Sequence, residues 1–506
     1  MADPGTIVEL LEGGAADAAA VGAPGRTALT FAGLRAQVAE VVATLNGFGI
    51  GREDRVAMVI PNSPETAVAF LGVAAGATAA PLNPAYQADE FEFYLRDLRA
   101  GGVIVAAGDG SAVIDVAQRL NIPVIELERE ADGPAGRFHL SADLSGARAR
   151  GGYAEPDDVA LVLHTSGTTS RPKIVPLRQR NLCASARNIR ETLQLTAADR
   201  CLNVMPLFHI HGLIAAVLSG VGAGGSVFCC PAFSGRAFFD WMAEAQPTWY
   251  TAVPSMHQII LTRAAEQAAV IRDNPLRFIR SSSSSLAPSV MAELESVFGA
   301  PVIEAYGMTE ATHQMASNPL PPAARKPGTV GQAAGPKVAI MDEGGALLAQ
   351  GAVGEIVIQG ENVTSAYENN AEANATAYSD GWFRTGDQGQ FDADGYLTIT
   401  GRLKEIINRG GEKISPREVD EVLLTHPAVA QVVTFAAPHD LLGEEVACAI
   451  VLRDGSVATA DEIQTFAAEK LVKFKVPKQI VFLDEIPKGA TGKLQRIGLA
   501  EKLGLT

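Results

Sequence analysis

The chain has 506 residues, is 47 % hydrophobic, and carries 41 Lys+Arg against 57 Asp+Glu for a net charge of −16. That balance argues against binding nucleic acid or an anionic membrane through bulk positive charge, and the length predicts a few folding units at roughly 150 residues each. Five cysteines in an odd count without metal-type spacing, an N-terminus without basic and apolar signal regions, and a C-terminal Gly-Leu-Thr that is not a peroxisomal tripeptide predict a soluble, cytoplasmic protein with free thiols.

Short β-rich runs alternate with helical patterns in chain order, as in α/β folds. Strands are predicted at 55–60, 102–107 and 159–163. The apolar stretch Ala67 to Ala80 is too short to span a bilayer and reads as a buried helix ended by Pro81. Residues 128–152, rich in Gly, Ala, Arg and Asp, read as a surface connection, and helices are expected at 181–193 and 288–298. A GxGxxG at Gly220, Gly222 and Gly225 is followed by a strand-like run, not a helix, so it reads as a turn rather than a dinucleotide fingerprint. Composition shifts again near Thr400-Gly-Arg-Leu-Lys404. Beyond it, helix 416–424, strands 429–436 and 446–452, helix 460–471 and strand 479–483 predict a separate α+β domain of about 100 residues. Gly401, Gly410 and Gly411 flank its entry as possible bends.

Four segments carry the chemistry. His164-Thr-Ser-Gly-Thr-Thr-Ser-Arg-Pro-Lys173 places hydroxyls of Thr165, Ser166, Thr168 and Thr169 around Gly167, a cradle for phosphate oxygens, with Lys173 adding charge. It lacks Walker A spacing. Glu304-Ala-Tyr-Gly-Met-Thr-Glu310 offers an aromatic, a turn, a hydroxyl and a carboxylate. Gly381-Trp-Phe-Arg-Thr-Gly-Asp387, with Arg402 beyond it, offers an acceptor for ribose hydroxyls, and Pro487-Lys-Gly-Ala-Thr-Gly-Lys493 presents a lysine on a Gly-rich loop. Singly, each also fits a polar loop, a surface turn, a capped hairpin or a solvated lysine.

Together and in this order the four resemble the adenylate-forming superfamily of acyl-CoA synthetases, adenylation domains and luciferases, over nearly the whole chain. Leu82-Asn-Pro-Ala-Tyr86 and Gly410-Gly-Glu-Lys-Ile-Ser-Pro416 share the likeness. Pro206-Leu-Phe-His-Ile-His-Gly212, Thr248 to Pro254, Arg280-Ser-Ser-Ser-Ser-Ser-Leu-Ala-Pro288 and Glu310 to Pro319 resemble the plant and fungal oxalate–CoA ligases within it. Ser170 and Ile174 stand where the superfamily more often has glycine, and an Ile there is expected to stiffen the loop.

The resemblance implies an α/β fold: a large N-terminal domain of mixed sheets and helices over 1–402, and a small mobile α+β domain over 403–506 hinged at Lys404. It implies an AMP-forming acid–thiol ligase that uses ATP, Mg²⁺ and coenzyme A through an acyl-adenylate, acting as monomer or homodimer. Thr165, Ser166, Gly167, Thr168, Thr169 and Lys173 would hold the β- and γ-phosphates, Tyr306 the adenine, Thr309 the α-phosphate, and Glu310 the Mg²⁺. Asp387 and Arg402 would hold the ribose, Lys493 would bridge carboxylate and α-phosphate, and Gly410 and Gly411 would line the pantetheine path. A small dianion such as oxalate needs donors for its second carboxylate, which the resemblance assigns to Ser283 and His313, with His209 and Arg236 as additions. Another short, aromatic or medium-chain carboxylate, or a carrier-loading adenylation reaction, is the alternative.

Overall fold

The computed structural model describes residues 3–146, 150–165, 172–487 and 496–505. The chain divides into two compact units, the first holding residues 1–165, 173–338 and 358–378, the second 339–357 and 379–506. The first is α/β and the second α+β, each built from sheets and helices.

In the first unit, a seven-stranded sheet among the described residues has a parallel centre and antiparallel edges. Its buried strand Arg55–Val59 lies between Thr78–Pro81 and Gly102–Ala106. The expected helix from Ala67 to Ala80 is instead the helix Pro64–Gly76 followed by the strand Thr78–Pro81. Two forces end the helix early. Ala77 is extended, and the strand's backbone groups find partners on Arg55–Val59. Both segments are fully buried, so hydropathy alone cannot mark their junction. Gly72 and Gly76 let this helix press on its neighbour Phe31–Gly47: a Cβ on either would come within 2.8 Å of Val41 or Val42. The expected connection at 128–152 contains an edge strand, Phe138–Ser141, paired antiparallel with Val124–Arg129.

A nine-stranded sheet among the described residues forms the rest of this unit. Its parallel run includes Arg200–Asn203, Trp249–Ala252, Phe278–Ser281 and Val302–Met308. One face packs Ile279, Tyr250 and Val302 against helices that include Pro288–Phe298. That helix starts with Pro at its first turn and ends at Gly299 in the left-handed region, as its sequence predicts. The GxGxxG, expected as a turn, instead places Gly220 and Gly222 in the helix Ser219–Gly222 and only Gly225 in the turn after it; the strand Ser226–Cys229 follows as expected.

In the second unit, the hairpin Trp382–Phe391 and Leu397–Arg402 joins one antiparallel sheet. A further sheet pairs Val429–His439 with Gly443–Leu452 and adds Gln479–Phe482 in parallel. Helices Pro416–Leu423 and Ala460–Lys470 cover an apolar core containing Ile407, Val419, Val429, Val446 and Ile463. Among the described residues, no helix is long and apolar enough to cross a membrane.

Candidate active site

The phosphate-loop residues Ser166, Gly167, Thr168 and Thr169 lie outside the described residues, as does Lys493. The base of their hairpin is defined. Strands Val159–Thr165 and Lys173–Arg178 run antiparallel, with Thr165 opposite Lys173 and His164 opposite Ile174. His164 is wedged in place: its Nε2 lies 3.1 Å from Asp97 Oδ2, and its ring meets Tyr94 edge-on at 4.7 Å. Burial holds this imidazole below its ordinary pKa, against the opposing pull of Asp97. Tyr86 stacks on Tyr94 at 4.9 Å, which ties the Leu82–Tyr86 segment to the same base. Ile174 is buried among Val59, Phe91 and Val162, so its apolar side chain anchors the returning strand where glycine would leave a gap.

Lys173 and Glu310 meet through a residue that the motif reading passed over. The Lys173 ammonium lies 4.4 Å from the centroid of the Tyr367 ring, a cation–π contact. Tyr367 Oη in turn donates to Glu310 Oε1 at 2.8 Å. Glu310 is buried in the short turn Thr309–Ala311 that follows Val302–Met308, the strand that carries buried Tyr306; Thr309 is half-buried. The Glu310 carbonyl accepts from the Thr364 N–H at 2.7 Å. Among the described residues, no group of three or more His, Cys, Asp or Glu is placed to hold a metal.

The chain then makes a costly reversal, with Thr312 at φ +49° and His313 at φ +100°. Asn362 clamps it. Its Nδ2 donates to Ala311 O at 2.7 Å and to Gln314 O at 3.0 Å, and its carbonyl accepts from Thr312 Oγ1 at 2.6 Å. Ser185 Oγ donates to Thr312 O at 2.5 Å. Glycine is required opposite: a Cβ on Gly307 would lie 1.9 Å from His313 O. The result is a buried His313 ring, 5.1 Å from the His211 ring and inclined 62° to it.

His211 completes a small polar cluster. Its Nδ1 is 3.0 Å from Ser283 Oγ and its Nε2 is 2.6 Å from Thr251 Oγ1. It opens the π-helical segment His211–Leu218, a rare geometry that recurs at functional sites. Of the expected acid-binding residues, Ser283 and His313 meet through His211. His209 is half-buried with its ring 4.4 Å from Phe208, and Arg236 is exposed. The signal for His211 was present in Phe-His-Ile-His-Gly, but only backbone geometry selects the second histidine.

In the second unit, Arg402 stands directly opposite Asp387 on the paired strand, and its Nε donates to Asp387 Oδ1 at 2.9 Å. Asp387 is buried, and its N–H donates to Thr385 Oγ1 at 3.1 Å. Lys404 is exposed in the turn Leu403–Glu405. Gly410 and Gly411, at φ +59° and +98°, form the tight turn between Ile407–Arg409 and Glu412–Ile414.

Comparison with known proteins matches residues 12–368 to the AMP-binding enzyme family and residues 418–493 to the AMP-binding enzyme C-terminal domain. A probable CoA ligase, CCL9, from Humulus lupulus is 47 % identical over 99 % of this chain and 97 % of its own. An oxalate–CoA ligase from Arabidopsis thaliana is 46 % identical over 98 % of both chains. The crystal structure of ATP-bound MatB from Rhodopseudomonas palustris superposes with a TM-score of 0.86 at 28 % identity over 98 % of both chains.

Proposed function

The chain belongs to the AMP-binding enzyme family, and from that premise we propose that it is an ATP-dependent, AMP-forming acid–CoA ligase whose acid is oxalate. An oxalate oxygen attacks the α-phosphorus of ATP, and pyrophosphate leaves with the electron pair of the broken P–O bond. The CoA sulfur then attacks the acyl carbon, loses its proton, and expels AMP to give oxalyl-CoA. The observation that carries the choice of acid is the compact cluster of Ser283, His211 and His313, which gathers a hydroxyl and two imidazole groups in one place. The relative from Arabidopsis thaliana, named as an oxalate–CoA ligase, supports it across nearly the full length.

Adenylation asks for positioning and charge neutralisation, not for a covalent nucleophile. In this reading the hydroxyl loop from Thr165 to Thr169 and Lys173 take the β- and γ-phosphates, Tyr306 the adenine, and Thr309 the α-phosphate. Glu310 holds Mg²⁺, which neutralises phosphate charge when bound. Asp387 and Arg402 take the ribose, and Gly410 and Gly411 let pantetheine pass close to the backbone. The domain boundary at 402/403 with Lys404 as pivot belongs to the same reading, supported by the exposure of that lysine in a turn. All five cysteines are buried and free, which suits a reducing, cytoplasmic compartment.

AMP release with CoA present, measured across a panel of acids, tests the proposal. Oxalate is expected to give the highest kcat/KM. A medium-chain or aromatic acid that surpasses it would sink the acid assignment while leaving the ligase assignment standing. The metal role has its own test. Tyr367→Phe keeps the ring beneath Lys173 but removes the hydroxyl that orients Glu310. Its Mg²⁺ requirement is expected to rise roughly tenfold, the scale of one hydrogen bond to a charged group, with KM for oxalate unchanged. An unchanged Mg²⁺ titration would remove Tyr367 from the metal site.

A further inference from the structure

Arg280 lies on the strand Phe278–Ser281 and is completely buried. Its Nη2 donates to Gln314 Oε1 at 3.3 Å. Its Nε and Nη1 have no hydrogen-bond partner among the described residues. Burying a cation without a counter-ion is expensive, and stable folds usually pair or remove one. Here burial pushes the guanidinium down to about 10, so it stays charged at neutral pH; the other influence on it is the buried Cys201 thiol, not a carboxylate. Glu304 is on the adjacent strand but opposite Ser281, whose side chain alternates to the other face, and it accepts from the Leu286 N–H at 3.1 Å.

The position of this charge is specific. Arg280 is the direct cross-strand partner of Thr251, so the two side chains share a face of the sheet. Thr251 Oγ1 holds His211 Nε2, and Gln314, which accepts from Arg280, immediately follows His313. Arg280 therefore stands behind the supports of both histidines. The cluster itself provides only hydroxyl and imidazole groups. Those can orient a carboxylate, while the guanidinium behind them adds a full positive charge.

We propose that Arg280 is a specificity-determining positioning residue whose uncompensated charge, set behind the His211–Ser283–His313 cluster, selects small dianionic acids over monoanionic isosteres. The inference rests on the oxalate reading. Only one carboxylate of oxalate is consumed in forming the adenylate. The other stays ionised in the pocket through both half-reactions, and a fixed cation in a low-dielectric layer stabilises it throughout. Oxamate has nearly the same shape with an amide in place of the second carboxylate, so it reports shape without that charge.

The test compares KM for oxalate with the inhibition constant of oxamate in the wild type, Arg280→Gln, Arg280→Met and Arg280→Lys. Thermal unfolding is run alongside to report which variants fold. Charge removal in Gln and Met is expected to raise KM for oxalate about tenfold or more while moving the oxamate constant less than threefold. Lys, which restores the charge, is expected to recover most of the preference. Equal weakening of both ligands in the Gln or Met variant would mean that Arg280 only supports the fold, and would overturn the proposal. So would a preference in either that matches the wild type. If neither Gln nor Met folds, the Lys variant decides: a lost oxalate preference with intact oxamate binding overturns it, and a retained one supports it. Wild-type turnover of oxalate is measured first; its absence would refute the acid assignment itself, a separate outcome from an unmoved ratio.

Discussion

Lys493→Ala is expected to lower acid-dependent pyrophosphate exchange by about 10³-fold, the upper scale for deleting one preorganised transition-state donor. The same variant is expected to convert preformed acyl-adenylate and CoA to thioester near the wild-type rate. The difference follows from charge flow. In the first half-reaction two anions approach, and negative charge moves from the attacking carboxylate onto the α-phosphoryl oxygens and the leaving pyrophosphate. A cation that bridges both groups is felt more in the transition state than in the ground state, so its loss falls on kcat. In the second half-reaction a sulfur attacks an acyl carbon, and the α-phosphate is part of the leaving group. The assignment comes from the loop Pro487-Lys-Gly-Ala-Thr-Gly-Lys493. A parallel loss in both half-reactions would remove the bridging role.

The motifs were legible because their chemistry is carried by residue type at fixed spacing. Hydroxyls around Gly167, the Tyr-Gly-Met-Thr-Glu run ending at Glu310, and the Gly-Asp ending at Asp387 are visible as letters in a row, whereas the pairing of Asp387 with Arg402 is set by strand register. What could not be read were contacts made by chain segments distant in sequence. Tyr367 joins Lys173 to Glu310 from 57 residues beyond Glu310. Asn362 clamps a reversal about 50 residues upstream, again in the absence of any local pattern. The run of five serines between Arg280 and Leu286 reads as a buried strand end, and this holds for its start only: Ser281 ends the strand and Ser282 is buried with it, whereas Ser283 and Ser285 are half-buried and Ser284 is exposed. For Arg280, one residue before it, only the sheet's alternation decides that the side chain points inward. The Ala67 to Ala80 stretch failed for the opposite reason: uniform burial erased the periodicity by which helix and strand differ.

The net charge of −16 also takes on a different meaning. Every proposed substrate is an anion, yet the charge total gives no hint of it. The last 37 residues, 470–506, hold eight Lys/Arg against three Asp/Glu, and Lys493 lies among them. Elsewhere, anion binding is assigned to hydroxyls, a lysine over an aromatic ring, and one buried arginine. The charge total therefore says little about the ligands; what decides is where single cations stand and how far they are from water.

Gly307→Ala provides the sharpest test of the acid-binding geometry. Its Cβ would lie 1.9 Å from the His313 carbonyl oxygen, 2.6 Å from its carbonyl carbon and 3.1 Å from its Nδ1. The clash is with backbone, so no side-chain rotation relieves it. The strand containing Gly307 already carries an irregularity at Tyr306/Gly307 and pairs across to Gln314 and His313. Moving that pair apart pulls His313 from its φ of +100° and loosens the hold of Asn362 on residues 311–314. A displacement of about 1 Å at a positioning group costs roughly 10²-fold in rate. Overpacking of this kind destabilises by about 1–3 kcal/mol. The variant is therefore expected to remain folded at 25 °C, with a lower Tm, and to lose roughly two orders of magnitude in kcat/KM for oxalate. Binding of ATP alone, followed by equilibrium titration, is expected to weaken as well, because Tyr306 and Thr309 flank Gly307, but by less than kcat/KM, because the hairpin base with Thr165 and Lys173 stands on a separate pair of strands. Activity within threefold of the wild type would show that the close approach of Gly307 to His313 is not what sets the acid pocket.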